Sequence, residues 1–209
     1  MNAELKKLHK WFIASKLSLN VKKTNYCLFH KKRQLTPQDL PMLLVGGEEV
    51  NRQSSIKFLG IVIDENLQWN CHIKSIKSKL SKSVGILYKS HKFLTKNTLR
   101  MLYFAFVHPY LTYANIVWAS TSHSKLKSLF SKQKRACQLI SKSNYSKTLN
   151  GNPMEKLNIL NVYEINILQN LTFMSKWHSK KLPQSFKNSF TKPRHRFYTR
   201  KSKYSLLNS

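Results

Sequence analysis

Eight carboxylates, eight histidines and three cysteines are the residues of this chain from which a catalytic centre would have to be built. Two-metal nucleotidyl transfer needs carboxylates that converge on ions about 3.5–4 Å apart. The chain has no Asp-Asp, Asp-x-Asp or His-Asp-Asp cluster: Asp39, Asp64 and the Glu48-Glu49 pair stand apart, in segments that read as loops or strand ends. There is no G-x-x-x-x-G-K-[ST] phosphate loop and no G-x-S-x-G nucleophile elbow, and the histidines are not spaced as metal ligands. Cys27, Cys71 and Cys137 are odd in number and far apart, without C-x-x-C or Cys/His zinc spacing, and are expected to be reduced core thiols. On residues alone the chain is a binding module and not a complete enzyme.

The chemistry that is abundant is cationic. Lys and Arg number 37 against 8 Asp and Glu, a formal net charge of +29 over 209 residues. Residues 66–209 hold 26 of those cations and only two carboxylates, Glu155 and Glu164. An excess this large repels itself unless a polyanion neutralises it, and each neutralised phosphate releases condensed counterions, so nucleic acid is the expected partner. Lys74, Lys77, Lys79, Lys82 and Lys89 form the clearest run, and with almost no acid nearby to balance them they favour phosphate contact over a merely solvated face.

Positioning those lysines requires regular structure, which the composition permits: 41% hydrophobic and 11% aromatic residues, with only five glycines and six prolines, is too apolar for a disordered basic tail. The longest strongly apolar run, Leu102 to Val107, is far short of the roughly 18–20 residues that span a bilayer, so no membrane partner is expected. Leu5, Leu8 and Phe12, widened by Trp11, predict a short amphipathic helix over residues 3–16. Tyr26 to Phe29 read as a strand ending in the basic run Lys31-Lys32-Arg33, Thr36 to Pro41 as a loop, and Met42 to Val45 before Gly46-Gly47 as a strand and turn. Ile56 to Asp64 reads as a third strand, apolar enough for burial on both faces or against a neighbouring domain.

After Asn66 the period changes to about 3.6. Ile73, Ile76, Leu80, Val84 and Leu87 predict a long helix with lysines off its apolar stripe. A second helix is expected from an Asn97 cap, with Leu99, Leu102, Tyr103 and Phe106 inward, bent or ended at Pro109. Further helices are expected up to Trp118, over Leu126 to Ile140, and around Ile167, Leu168, Leu171 and Met174. A polar break covers Ser141 to Pro153. From Ser179 onward nine cations, no acids and scattered aromatics suit a basic, mobile arm.

Two segments in this order resemble a known family. The run Trp11 to Thr24, containing Leu19-Asn20-Val21-Lys22-Lys23-Thr24, is followed by Phe58-Leu59-Gly60-Ile61-Val62-Ile63-Asp64 and then Trp69 to Ile73. Together with Tyr103, Pro109 to Tyr113, Trp118 and Gln133-Lys134-Arg135-Ala136, they resemble the reverse transcriptase of non-LTR retrotransposons of the jockey-like and LINE-like kind, over most of residues 1 to about 175.

The resemblance implies an α+β fold: residues 1–65 as the C-terminal end of a polymerase palm with a small antiparallel sheet, 66–145 as a helical thumb-like module, 146–178 as a post-thumb helical segment, and 179–209 as the basic tail. In that family the Leu-Asn-x-x-Lys-Thr segment follows the metal-binding Tyr/Phe-Ala-Asp-Asp turn, so Met1 falls just after it and the fingers and catalytic aspartates are not in this chain. Lys23 is then the lysine that approaches the incoming nucleotide, with a solvated loop lysine as the alternative reading. Phe58, Leu59 and Gly60 match the primer-grip region. Gly60 is either a point of close backbone approach or a bulge, and Phe58 and Leu59 are expected to be core. Lys134 and Arg135 join the five lysines as nucleic-acid-binding candidates. No cofactor is expected in this chain, although Mg2+ is implied for the complete polymerase.

The implied partners are an RNA template, a DNA primer and an N-terminal polymerase region. The expected location is intracellular, with the nucleus giving access to DNA. The rival readings are a stand-alone basic RNA- or DNA-binding protein derived from such an element, and a non-functional remnant with unpaired strand edges.

Overall fold

A computed structural model describes residues 1–30, 42–141, 152–191 and 207–208. The expectations for Lys31 to Pro41, for most of the polar break and for the tail beyond Thr191 fall mainly outside the described residues. The element order mixes helices with very short strands. Helix α1 spans Asn2–Ala14. It is followed by β1 (Asn25–Tyr26), β2 (Leu44–Val45), β3 (Glu48–Glu49), β4 (Asn51–Arg52), β5 (Ser55–Phe58) and β6 (Ile61–Asp64). Then come α2 (Asn70–Ser90), α3 (Lys96–Phe106), α4 (His108–Thr112), α5 (Asn115–Trp118), α6 (His123–Ile140) and α7 (Val162–His178), with β7 (Phe190–Thr191) and β8 (Leu207–Asn208) last. The fold is α+β, but among the described residues the strands form no common sheet. They make four two-stranded ladders there, of which β1–β4 is parallel and β2–β3, β5–β6 and β7–β8 are antiparallel.

The strand expected over Ile56 to Asp64 is instead a hairpin. Phe58 pairs with Ile61, and Leu59-Gly60 forms the two-residue turn with φ of 44° and 82°. Positive φ at both central positions is what a type I′ turn requires and what matches the twist of the flanking strands. Gly60 therefore serves the turn. Phe58 and Leu59 stand at the tip, 59% and 72% exposed, and are not core. Nor is β6 buried on both faces: Ile61 and Ile63 pack against the helices while remaining half-buried.

Two apolar clusters organise the chain. The smaller joins Leu43, Val45 and Val50 with Leu5, Leu19, Val21 and Tyr26 around its edge. Helix α1 rests on the β2–β3 hairpin, where the Asn2 amide donates to Met42 O at 2.9 Å and its Oδ1 accepts from Leu44 N–H at 3.2 Å. A Cβ at Gly46 would sit 2.7 Å from the His9 ring, so the turn at Gly46-Gly47 needs glycine both for its φ of 63° and for the close approach of α1. The expected apolar face of α1 is only partly used, since Leu8, Trp11 and Ile13 remain exposed.

The larger cluster fills the space between α2 and α7. Ile73, Ile76, Leu80 and Leu87 from α2 meet Leu99 and Tyr103 from α3, Leu111 and Trp118, and Leu126, Leu129, Cys137 and Ile140 from α6. Fully buried Gln133 holds this core to the start of α7: its amide donates to Tyr103 Oη and Leu160 O, and its Oε1 accepts from Val162 N–H, all at 2.8–2.9 Å. Helix α3 begins two residues earlier than expected, capped by Thr95 Oγ1 accepting from Thr98 N–H, and Phe106 is exposed. Pro109 lies in the first turn of α4, where its missing N–H costs nothing.

Helix α7 is the one expected around Ile167, Leu168, Leu171 and Met174. Its inward positions are Val162, Ile165, Asn166 and Gln169, at i, i+3, i+4 and i+7. Asn166 Nδ2 donates to Asn115 Oδ1, and Gln169 donates to Thr112 O and accepts from Ile116 N–H. This amide ladder turns Ile167, Leu168 and Leu171 outward, more than half exposed. Beyond α7 the chain folds back as far as Thr191: Phe186 and Phe190 pack edge-on against Phe173, and Trp177 Nε1 donates to Phe186 O. The first part of the expected mobile arm is thus an aromatic clasp.

Candidate nucleic-acid interface

The loop that launches α2 is fixed by a carboxylate. Asp64 accepts from the Gln68 and Trp69 N–H groups at 2.9 and 2.6 Å, and its two oxygens hold the turn in which Leu67 and Trp69 take φ of 53° and 62°. Trp69 is thereby driven into the core, 7% exposed, beside His72 and Trp118. His72 seats the β5–β6 hairpin on α2, because its Nδ1 accepts the Val62 N–H at 3.3 Å. Burial, with a smaller contribution from Lys79, lowers its pKa and keeps the ring neutral at pH 7. From the other side the Tyr113 hydroxyl donates to Leu59 O, and its ring lies 3.6 Å from where a Cβ on Gly60 would be. The primer-grip-like residues Phe58, Leu59 and Gly60 therefore form an exposed tip braced by Tyr113, which is itself 56% exposed.

All five α2 lysines are exposed, but they do not form one stripe. At about 100° per residue they spread over about 200° of the helix. Lys74 and Lys77 flank α6, Lys82 and Lys89 point between, and Lys79 turns the other way, with its Nζ 5.3 Å from the centre of the Tyr110 ring. On α6, Lys134 is exposed and Arg135 half-buried, while the groove residue is Lys125. Lys125 Nζ donates to Gln68 O at 2.6 Å, which Thr121 Oγ1 also approaches at 3.4 Å. The starts of α2 and α6 consequently lie side by side. They enclose a groove of about 330 Å3 lined by Asn70, Ile73, Lys74, Lys77, Ser124, Lys125 and Ser128. Sequence reasoning missed Lys125; the only signal was its place in the first turn of a helix whose apolar stripe begins one residue later.

Among the described residues the ion pairs are Glu4–Lys7, Arg52–Glu65 and His30–Glu65, and none involves a lysine of α2 or α6. Lys23 is exposed in the 3₁₀ turn Val21–Lys23, where Asn20 Oδ1 accepts its backbone N–H at 3.1 Å, so Asn20 caps that turn. No carboxylate cluster adjoins it.

Among the described residues no group of three or more His, Cys, Asp or Glu side chains converges as a metal site. Asp64 is committed to two backbone N–H groups and Glu65 to Arg52, while Glu48 and Glu49 lie on the exposed strand β3. These residues do not fit a Mg2+ pair. Nor is there an activated thiol at Cys137, which burial pushes up to about 12, or at Cys27, which burial and then Glu65 raise. Cys137 is the only buried cysteine; Cys71 is exposed and Cys27 half-buried, so the expectation of three core thiols holds for one. Among the described residues no helix is long and apolar enough to cross a membrane.

The fold and site define an α+β protein in which two neighbouring helices, α2 and α6, carry lysines with no ion-pair partner among the described residues. Compared with protein-family models, with curated proteins and with solved structures, the chain matches none.

Proposed function

We propose that this chain is a nucleic-acid backbone clamp, and that it acts as the palm-end, thumb and post-thumb part of a non-LTR retrotransposon reverse transcriptase. The observation that carries the clamp is the set of lysines on α2 and α6 with no carboxylate in ion-pair range among the described residues. Unneutralised cations fixed on rigid helices bind phosphates by releasing counterions and do so without reading bases, so affinity should be largely sequence-independent. The polymerase assignment rests on the motif order from Trp11 to Ala136. It is supported by the exposed Phe58-Leu59-Gly60 tip, whose backbone is open on the side away from Tyr113.

In that reading the clamp holds an RNA template and nascent DNA, and the chemistry and its Mg2+ belong to the N-terminal polymerase region. The purified chain should bind an RNA–DNA hybrid and leave the primer unextended when nucleotides and Mg2+ are added. Primer extension by this chain alone would overturn the division of labour, and failure to bind the hybrid would overturn the clamp.

A second reading, a stand-alone basic nucleic-acid-binding protein derived from such an element, is favoured by one observation: the helices α2–α7 and the β5–β6 hairpin share a single core. Tighter binding to one defined RNA than to hybrids of arbitrary sequence would select this reading over the first.

A further inference from the structure

The cations of α2 are not equivalent, because one flank of the helix forms a groove with the basic helix α6. On that flank Lys74 and Lys77 stand one helical turn apart, and Lys125 faces them from α6 across the groove of about 330 Å3. Lys125 is half-buried and already held by Gln68 O, so part of the rotamer entropy that a lysine loses on binding is lost in the folded chain. The bond to Gln68 O uses one of the three N–H donors on the Lys125 ammonium and leaves two for acceptor oxygens.

Two neutral groups complete the lining. Asn70 carries a side-chain amide without a protein partner among the described residues, and the Ser124 hydroxyl is paired only with Ser122 at 3.1 Å. Ser128 Oγ, by contrast, already donates to Lys125 O. No carboxylate lines the groove: the acids nearest in sequence, Asp64 and Glu65, are engaged with the Gln68 and Trp69 N–H groups and with Arg52. Elsewhere on the face Lys79 lies over the Tyr110 ring, and Lys82, Lys89 and Lys134 are not among the residues that line this groove.

We infer that the groove between the first turns of α2 and α6 is the phosphate seat of the clamp, with Lys74, Lys77 and Lys125 supplying charge and Asn70 and Ser124 supplying neutral hydrogen bonds to one stretch of nucleic-acid backbone. This rests on the nucleic-acid-binding reading above and sharpens it. Lys79, Lys82, Lys89, Lys134 and Arg135 become peripheral, attracting the polyanion without seating it.

The test compares two triple variants of the full chain that remove the same charge: K74Q/K77Q/K125Q in the groove and K79Q/K82Q/K89Q outside it. Binding of a fluorescently labelled RNA–DNA hybrid is followed by anisotropy across a salt series. Each seated phosphate contributes a slope of about 0.9 in the logarithmic salt dependence. The groove variant should therefore lose roughly two to three units of slope and about 30-fold or more in affinity at near-physiological salt, and the outer variant less than about one unit and about threefold.

Because Lys125 also bonds Gln68, the double variant K74Q/K77Q keeps that bond, and its thermal transition should match that of the unmodified chain while binding falls about tenfold. Equal losses in the two triple variants, or an unaffected K74Q/K77Q, would overturn the seat while leaving the clamp standing. An unmodified chain that does not bind would remove the clamp, and the seat with it.

Discussion

The N-terminal unit around β1–β4 and the helical body from α2 to α7 are held together in different ways. The body buries 22 hydrophobic residues in one cluster, several of them wholly inaccessible, and at roughly 1.5–3 kcal/mol for each large side chain buried this is where the stability must reside. The N-terminal unit buries three, Leu43, Val45 and Val50, and is stitched by the Asn2 amide and two-residue ladders, with Leu8, Trp11, Ile13 and Leu17 left exposed. Its low density of buried apolar contacts is the mark of a region that opens locally without global unfolding. The clamp lysines sit on the well-packed body, where the backbone is rigid enough to hold a phosphate seat. Lys23 sits on the other unit.

Disruption should therefore be graded by region. Replacing fully buried Leu129 with Ala should cost about 2–5 kcal/mol in denaturant unfolding, through lost transfer free energy and the cavity left behind. Val45→Ala, a smaller truncation in the small cluster, should cost less and show mainly as faster amide exchange in residues 42–52, leaving the unfolding of the body unchanged. A global loss as large as that of Leu129→Ala would mean that the two regions fold as one unit.

Gln133→Leu should come next, at about 2–3 kcal/mol, because it strands the Val162 N–H and the Leu160 carbonyl in the interior. Amide exchange should then accelerate first at the start of α7.

His72 gives the junction between hairpin and body a dependence on pH. Its unfolded value is about 6.5 and its folded value is lower, so the unfolded chain takes up the proton first. The stabilisation is complete above the unfolded value and is lost as the pH falls from about 6.5 towards the folded one. The groups facing the ring are the Val62 N–H, Trp69, Trp118 and, at longer range, Lys79. None of these can stabilise imidazolium as a carboxylate would. The melting temperature should fall between pH 7 and 5, and His72→Phe should flatten that fall while leaving the contribution of His108, which burial lowers in the same direction.

The smallest effect is expected for Tyr113→Phe, about 1 kcal/mol for a partly exposed hydrogen bond to Leu59 O, visible as sharper exchange at the hairpin tip.

How far the sequence foretold this arrangement varied with the local physics. The α2 stripe was legible because Ile73, Ile76, Leu80 and Leu87 bury at helical spacing, and the Gly46-Gly47 turn because two adjacent glycines announce positive φ. The Leu59-Gly60 turn was hidden inside an apolar run, since leucine at positive φ is a tertiary outcome braced by Tyr113. The inner face of α7 was not legible because amides share it with Val162 and Ile165, a pairing that depends on Asn115 and Thr112 more than fifty residues away. The basic face was legible as charge. Its division into a groove and a periphery was not, because Lys125 meets Lys74 and Lys77 only once α6 is laid beside α2.

The clamp is tested most directly by the salt dependence of binding between the unmodified chain and an RNA–DNA hybrid of arbitrary sequence. With six to ten phosphates engaged, affinity should fall by about 10³-fold or more between roughly 50 and 200 mM salt, equally for hybrids of unrelated sequence. A flat response over that range would contradict a backbone clamp and leave the +29 charge without the partner assigned to it.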